Sequence, residues 1–162
     1  MLYWSYSVDG RNNMEHKDKI IEVITKILEE AAFVFTDTLS NEDMPDPSTW
    51  DATGVVLQFY GPVNGEMRMW ASNGFARCVA ANMLGISEDE PAAAEKGLDA
   101  LKESLNIIVG NYLTTIYGEE PVFDLGLPEP IEENKLVEDC ANSDAVLLTA
   151  DDHPILFAVE NR

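Results

Sequence analysis

Residues 98–112 carry two opposed stripes that only a helix can keep apart. Leu98, Leu101, Leu105, Ile108 and Tyr112 recur at intervals of three and four residues, so at about 100° per residue they share one sector. That sector is the stripe that packs on a core. Asp99, Glu103, Asn106 and Gly110 recur at four, three and four, and their sector lies roughly 160° from the first. An acid, an acid, an amide and a glycine therefore face outward. Any fold adopted by this chain must bury one side of the helix and present the other.

The segments on either side place this helix in a mixed domain. Pro91 suits its first turn, the acids at 88–90 complement its positive end, and it is expected to run to about Tyr117, before Gly118. Upstream, Asn13 can cap an amphipathic helix whose apolar positions are Ile20, Ile21, Ile24, Ile27, Leu28, Ala31, Val34 and Phe35. Residues 36–51 hold Pro45, Pro47 and several aspartates, and read as a loop. Residues 54–60 and 66–71 are strand-like, and the Gly-Pro-Val-Asn-Gly run at 61–65 is a strong hairpin signal. Residues 73–84 read as a short helix capped by Ser72 or Asn73 and stopped by Gly85. After the long helix come a strand-like run at 122–127, Pro128-Glu129-Pro130, a loop, and a second hairpin from 146–150 and 155–159. Hairpins interrupted by helices, without a βαβ repeat, indicate an α+β domain with a largely antiparallel sheet. Residues 1–13 are expected to be an N-terminal extension and 14–162 a single domain, since the length suits one core.

Charge narrows the partners. Thirty Asp and Glu against ten Lys and Arg leave a formal net charge of −20, which repels phosphate backbones and anionic lipid. Nucleic-acid binding and peripheral membrane roles are therefore disfavoured, and no apolar stretch is long enough to span a bilayer. The bland source of such acidity is solubility or a salty cytoplasm. Cys78 and Cys140 lack a C-x-x-C spacing or a neighbouring His, so neither a disulfide framework nor a zinc site is indicated, and a reducing cytoplasm fits.

Few residues can carry covalent chemistry. The two histidines, His16 and His153, fall at a helix start and a turn, where exposed structural roles suit them, and no serine has an evident His partner. The acidic runs at 88–90 and 151–152 do not follow a calcium-loop pattern and read as solvated surface. Glycine-rich phosphate loops are absent. The outward stripe remains. A polar face is ordinary on an amphipathic helix, but mid-helix Asn106 is a mediocre helix former, and Gly110 costs about 1 kcal/mol relative to Ala. Either Gly110 lets another surface come close, or it relieves internal crowding.

Asp99-x-x-x-Glu103-x-x-Asn106 resembles the signature of the CheC/CheX/FliY family of chemotaxis phosphatases, which has Ser or Asp, then Glu, then Asn at these intervals and a proline further on. Pro128 and Pro130 each miss the family's usual offset for that proline by one residue. Glu103 to Asn111 is similar to the family's E-x-x-N-x-x-x-G-N stretch, Phe123 to Pro128 to its apolar run into proline, and the hairpin before Met83-Leu84-Gly85 to its hairpin and short helix. The likeness runs from about Asn13 to the C-terminus. A second E-x-x-N helix is missing, so the chain resembles single-site CheX-like members.

That resemblance implies a cytoplasmic protein phosphatase acting on the phosphorylated aspartate of a CheY-like response regulator. It implies that Asn106 orients the attacking water and that Glu103 pairs with the regulator's lysine, with Asp99 and Gly110 at the docking surface. No cofactor is implied on this chain, since magnesium would sit on the regulator. A homodimer is implied as well. Two rivals remain at this level: a regulator-binding or flagellar-switch module of the same fold without catalysis, and a purely structural acidic dimer.

Overall fold

The computed structural model describes residues 10–162, with side chains described from Met14 onward. Helix α1 (Gly10–Ala32) turns Ile20, Val23, Ile24, Ile27 and Leu28 inward. It begins ahead of Asn13, which therefore lies inside the first turn instead of capping it. It also stops before Val34 and Phe35. Phe33 adopts φ 56° and the Val34 amide bonds back to the Leu28 carbonyl at 2.9 Å, so Val34 reaches the core from outside the helix while Phe35 stays 76% exposed. Most of the expected N-terminal extension, residues 1–9, lies outside the described residues.

Among the described residues seven antiparallel strands form one sheet, in the order β1 (Asp37–Thr38), β6 (Val146–Ala150), β7 (His153–Asn161), β3 (Gly65–Ser72), β2 (Ala52–Tyr60) and β4 (Asp124–Leu125), with β5 (Glu129–Ile131) also on β2. The hairpin β2 (Ala52–Tyr60) and β3 (Gly65–Ser72) and the hairpin β6 (Val146–Ala150) and β7 (His153–Asn161) supply the four long strands. Asp151 and Asp152, both at positive φ, make the tight turn of the second hairpin. Two departures from the sequence reading occur at the edges. Asp37–Thr38, within the expected loop, is a short edge strand β1 on β6. The run at 122–127 contributes only β4 (Asp124–Leu125), and β5 (Glu129–Ile131) continues along the same edge of β2. Pro130 is admissible there because an edge strand has amides that need no partner.

The register sorts side chains onto two faces. Val55 pairs with Met69 and Leu57 with Met67, and Phe157 lies beyond Met69, so these fall on one side of the sheet. That side packs against α1, α2 (Asn73–Leu84) and α4 (Gly97–Tyr117) in the main core. Arg68, Trp70 and Leu156 fall on the other side, over a smaller core with Leu136 and Leu147. Helix α5 (Asn134–Ala141), where the sequence pattern suggested loop, covers this second face.

The long helix expected from Pro91 is broken in two. A short α3 (Pro91–Glu95) ends at Lys96, and α4 starts at Gly97. Just past the break α4 comes close to α2: a Cβ on Gly97 would stand 3.2 Å from the Ala76 Cβ, so the seam favours glycine there. Helix α2 matches its sequence signals. Ser72 Oγ accepts the Phe75 amide at 3.2 Å, and Gly85 closes the helix in the left-handed conformation.

Candidate functional site

Helix α4 is held by a broad buried arc. Leu101, Leu105, Ile108, Val109 and Tyr112 are fully buried, and Ser104 joins them because its hydroxyl donates to the Ala100 carbonyl at 2.8 Å. Leu98, the first member of the apolar stripe, is an exception at 36% exposed, because it sits where α4 has just emerged from the seam with α2. With the other buried positions of the arc anchored, the outward residues project from a rigid support.

All four outward positions share that open face. Asp99 and Glu103 are exposed, and Asn106 and Gly110 are half-buried. Asp99 stands 3.8 Å from Lys96, a loose surface pair. Neither Glu103 nor Asn106 makes a side-chain hydrogen bond or ion pair with a described residue. The other asparagine of the helix behaves differently: Asn111 donates to its own Ile107 carbonyl at 2.9 Å. At one turn apart, Glu103 and Asn106 hold their Cβ atoms about 5–6 Å from each other. A carboxylate and a carboxamide thus stand together, uncommitted, on one surface.

Gly110 resolves the alternative left by its sequence. A Cβ there would meet nothing within 4 Å. Crowding by the described residues is therefore not the reason for the glycine. Thr114, which donates to the Gly110 carbonyl at 3.1 Å, extends the same face by a turn. Shallow clefts flank the face at both ends. One, of about 160 Å³, lies beside Gly110, Thr114 and Phe123. The other, of about 300 Å³, lies beside Arg77 and Leu98. Arg77 was not singled out by its sequence context, because its significance comes from the α2–α4 seam.

Other sequence candidates are placed away from this face or in structural roles. Pro130 pairs with Val55 in β5, and Pro128 occupies the step between β4 and β5. The histidines are half-buried instead of exposed. Ser72 Oγ lies 2.9 Å from His153 Nδ1, and His16 packs edge-on to Tyr112 with ring centres 6.3 Å apart. Burial, and then the charge of Lys19, lower the His16 pKa. Cys78 is buried, and burial followed by Glu88 pushes its thiol up to about 11. Among the described residues no cluster of three His, Cys, Asp or Glu could hold a metal, and no helix is long and apolar enough to cross a membrane.

The second face of the sheet holds a contrasting polar cluster. Arg68 donates from Nε and Nη2 to both Asp139 oxygens at 2.9 Å, and Trp70 Nε1 donates to Asp139 at 2.8 Å. The remaining Arg68 nitrogen meets Glu160 at 2.8 Å and Glu66 at 3.2 Å. The hydrogen bond from Arg68 holds the Glu160 carboxyl below its ordinary range. This cluster pins α5 to the sheet, with its buried members Arg68 and Asp139 engaged by one another.

A single antiparallel sheet with helix α4 open on one side is an α+β architecture shared with chemotaxis proteins of known structure. The chain belongs to the CheX family: the family model described as chemotaxis phosphatase CheX matches residues 53–151, more than half of its length. That match includes Asp99, Glu103, Asn106 and Gly110. The fold is similar to CheX from Borrelia burgdorferi, solved in complex with CheY, BeF3 and magnesium, at 19% identity and TM-score 0.64, covering 91% of this chain and 97% of that one. It is also similar to CheX from Desulfovibrio desulfuricans (17% identity, TM-score 0.61, 90% and 99% covered) and from Vibrio vulnificus (12%, 0.64, 93% and 98%). No curated protein matches the chain significantly in sequence.

Proposed function

We propose that this chain accelerates hydrolysis of the aspartyl phosphate of a CheY-like response regulator. The observation that carries the reading is the pair Glu103 and Asn106, side by side on the open face of α4 with no partner among the described residues. Family membership supports the class of activity, and the Borrelia neighbour was solved with a CheY partner.

An acyl phosphate is already labile, so positioning and electrostatics suffice to accelerate its loss. The Asn106 carbonyl oxygen accepts a hydrogen bond from a water in line with phosphorus, and its NH2 donates toward a phosphoryl oxygen. As water's oxygen bonds to phosphorus, the bond to the aspartyl oxygen breaks, the carboxylate leaves, and water's proton passes to phosphate or solvent. Asn106 cannot ionise, so it orients the water and does not act as a base. Glu103 pairs with a lysine at the rim of the regulator's site and sets the depth of entry. Gly110 keeps the adjoining surface low enough for contact. Magnesium, in this reading, is held by the regulator's carboxylates. The working unit is taken as a cytoplasmic homodimer, checked by sedimentation at assay concentration.

The experiment mixes the purified chain with a CheY-like receiver phosphorylated by acetyl phosphate, with magnesium, and follows phosphate release. Acceleration well above the receiver's own decay is expected. Binding without acceleration would assign the chain to the non-catalytic module instead.

A further inference from the structure

The end of the α4 face nearest its N-terminus carries a feature that the water-orienting pair does not use. We propose that the cleft between α2 and the start of α4 is a second contact for the same receiver, with Arg77 taking an acidic side chain of the receiver's surface and Leu98 an apolar neighbour; this rests on the receiver-phosphatase reading above.

The cleft exists because Gly97 lets Ala76 close the seam below it, leaving an opening of about 300 Å³ edged by Thr53, Asn73, Arg77 and Leu98. Arg77 is exposed and makes no ion pair or hydrogen bond with a described residue. In a chain with a net charge of −20 that is informative, because acidic partners are plentiful. The other two arginines with described side chains are both paired, Arg68 with Asp139 and Arg162 with Glu66. A carboxylate at this end of the cleft, Asp51, is engaged by the Asn73 amide at 3.1 and 3.2 Å. The arginine therefore keeps its charge and its five donors for a group outside the molecule.

Position ties this cleft to the site. Leu98, Lys102 and Asn106 form a row at successive intervals of four along α4, so the row leads from the cleft to the amide over about 12 Å. Lys102 is half-buried and has no ion-pair partner among the described residues. The face is thus electrically two-sided, with Arg77 and Lys102 on one flank and Asp99 and Glu103 on the other. A partner that offers a lysine to Glu103 and a carboxylate to Arg77 fits in one orientation, and rotating it sets like charges together. Which receivers are accepted then depends on whether an acidic residue stands at that distance from the phosphorylated aspartate.

The test measures kcat and KM for phosphate release from a CheY-like receiver, and in parallel binding to its beryllofluoride form, with the full chain. Arg77→Glu should raise KM and Kd by about tenfold or more at low salt and leave kcat within about twofold. Added salt should narrow the gap, because the contact is electrostatic. Arg77→Lys should recover most of the binding. Unchanged KM in Arg77→Glu beside an active parent would overturn this contact and spare the phosphatase reading, as would a loss confined to kcat. A parent that neither binds nor accelerates the receiver would overturn both.

Discussion

On the second face of the sheet Arg68, Asp139 and Trp70 satisfy one another, whereas on the open face of α4 Glu103 and Asn106 have no side-chain partner among the described residues. Burial separates the two regions. Arg68 and Asp139 are 4% and 2% exposed, and at that depth an unpaired charge costs several kcal/mol, so pairing is compulsory. Glu103 is solvated and tolerates having no partner. The first region is a structural clamp; the second is left open by the described residues, as the proposed function requires. The contrast between the two lies in burial: the charged groups of the clamp are paired where water is excluded, and the pair on α4 stands where water can solvate it.

Breaking the clamp should give the largest effect. Asp139→Ala leaves the Arg68 charge buried without its main partner and should cost about 3–5 kcal/mol in denaturant unfolding, with activity per folded molecule preserved. If stability stays unchanged, the clamp is not what holds α5. Next comes Glu103→Lys, which sets two cations together and should weaken binding to the phosphorylated receiver by about 2–5 kcal/mol while moving unfolding stability by less than about 0.5 kcal/mol. Loss of stability in step with binding would make Glu103 a structural residue. Smaller still is Gly110→Ala. With empty space around the new methyl and a better helix former, melting should rise by about 2–4 °C, and any loss of receiver binding would measure how close the partner comes.

The smallest effect belongs to His16. Its folded pKa lies below its ordinary value of 6.5, so the unfolded chain binds the proton more readily. Its contribution is therefore complete above that value and is lost as pH falls through the lowered folded pKa. Stability of the parent should decline across that window more steeply than that of His16→Gln. Equal slopes would remove His16 from the account.

Much of this arrangement was readable from the chain because its signals are local. Turn residues marked both long hairpins, Ser72 and Gly85 bracketed α2, and the three-and-four spacing set the two faces of α4. The missed elements depend on distant partners. Residues 134–141 are too short a run to show a clear helical stripe, Val137 within it is 58% exposed, and α5 is fixed by Leu136 in the second core and by Asp139 reaching Arg68. Asp37–Thr38 is a strand only because β6 lies beside it. The break at Lys96 falls in the Glu95-Lys96-Gly97 run, and the close approach of Gly97 to Ala76 beside it is a contact between two helices that the local pattern does not show. At the site, the outward placement of Asp99, Glu103, Asn106 and Gly110 follows from helical arithmetic. Arg77 does not, since being unpaired is a property of the folded surroundings.

The central claim is that the Asn106 amide acts on water in another protein's phosphorylation site. The most direct measurement determines, for parent and Asn106→Ala, both the affinity for the beryllofluoride form of a CheY-like receiver and the rate of phosphate release from the phosphorylated form. The account predicts affinity within about threefold and a rate reduced by about a hundredfold or more. An Asn106→Ala protein that binds and hydrolyses as the parent does would contradict it.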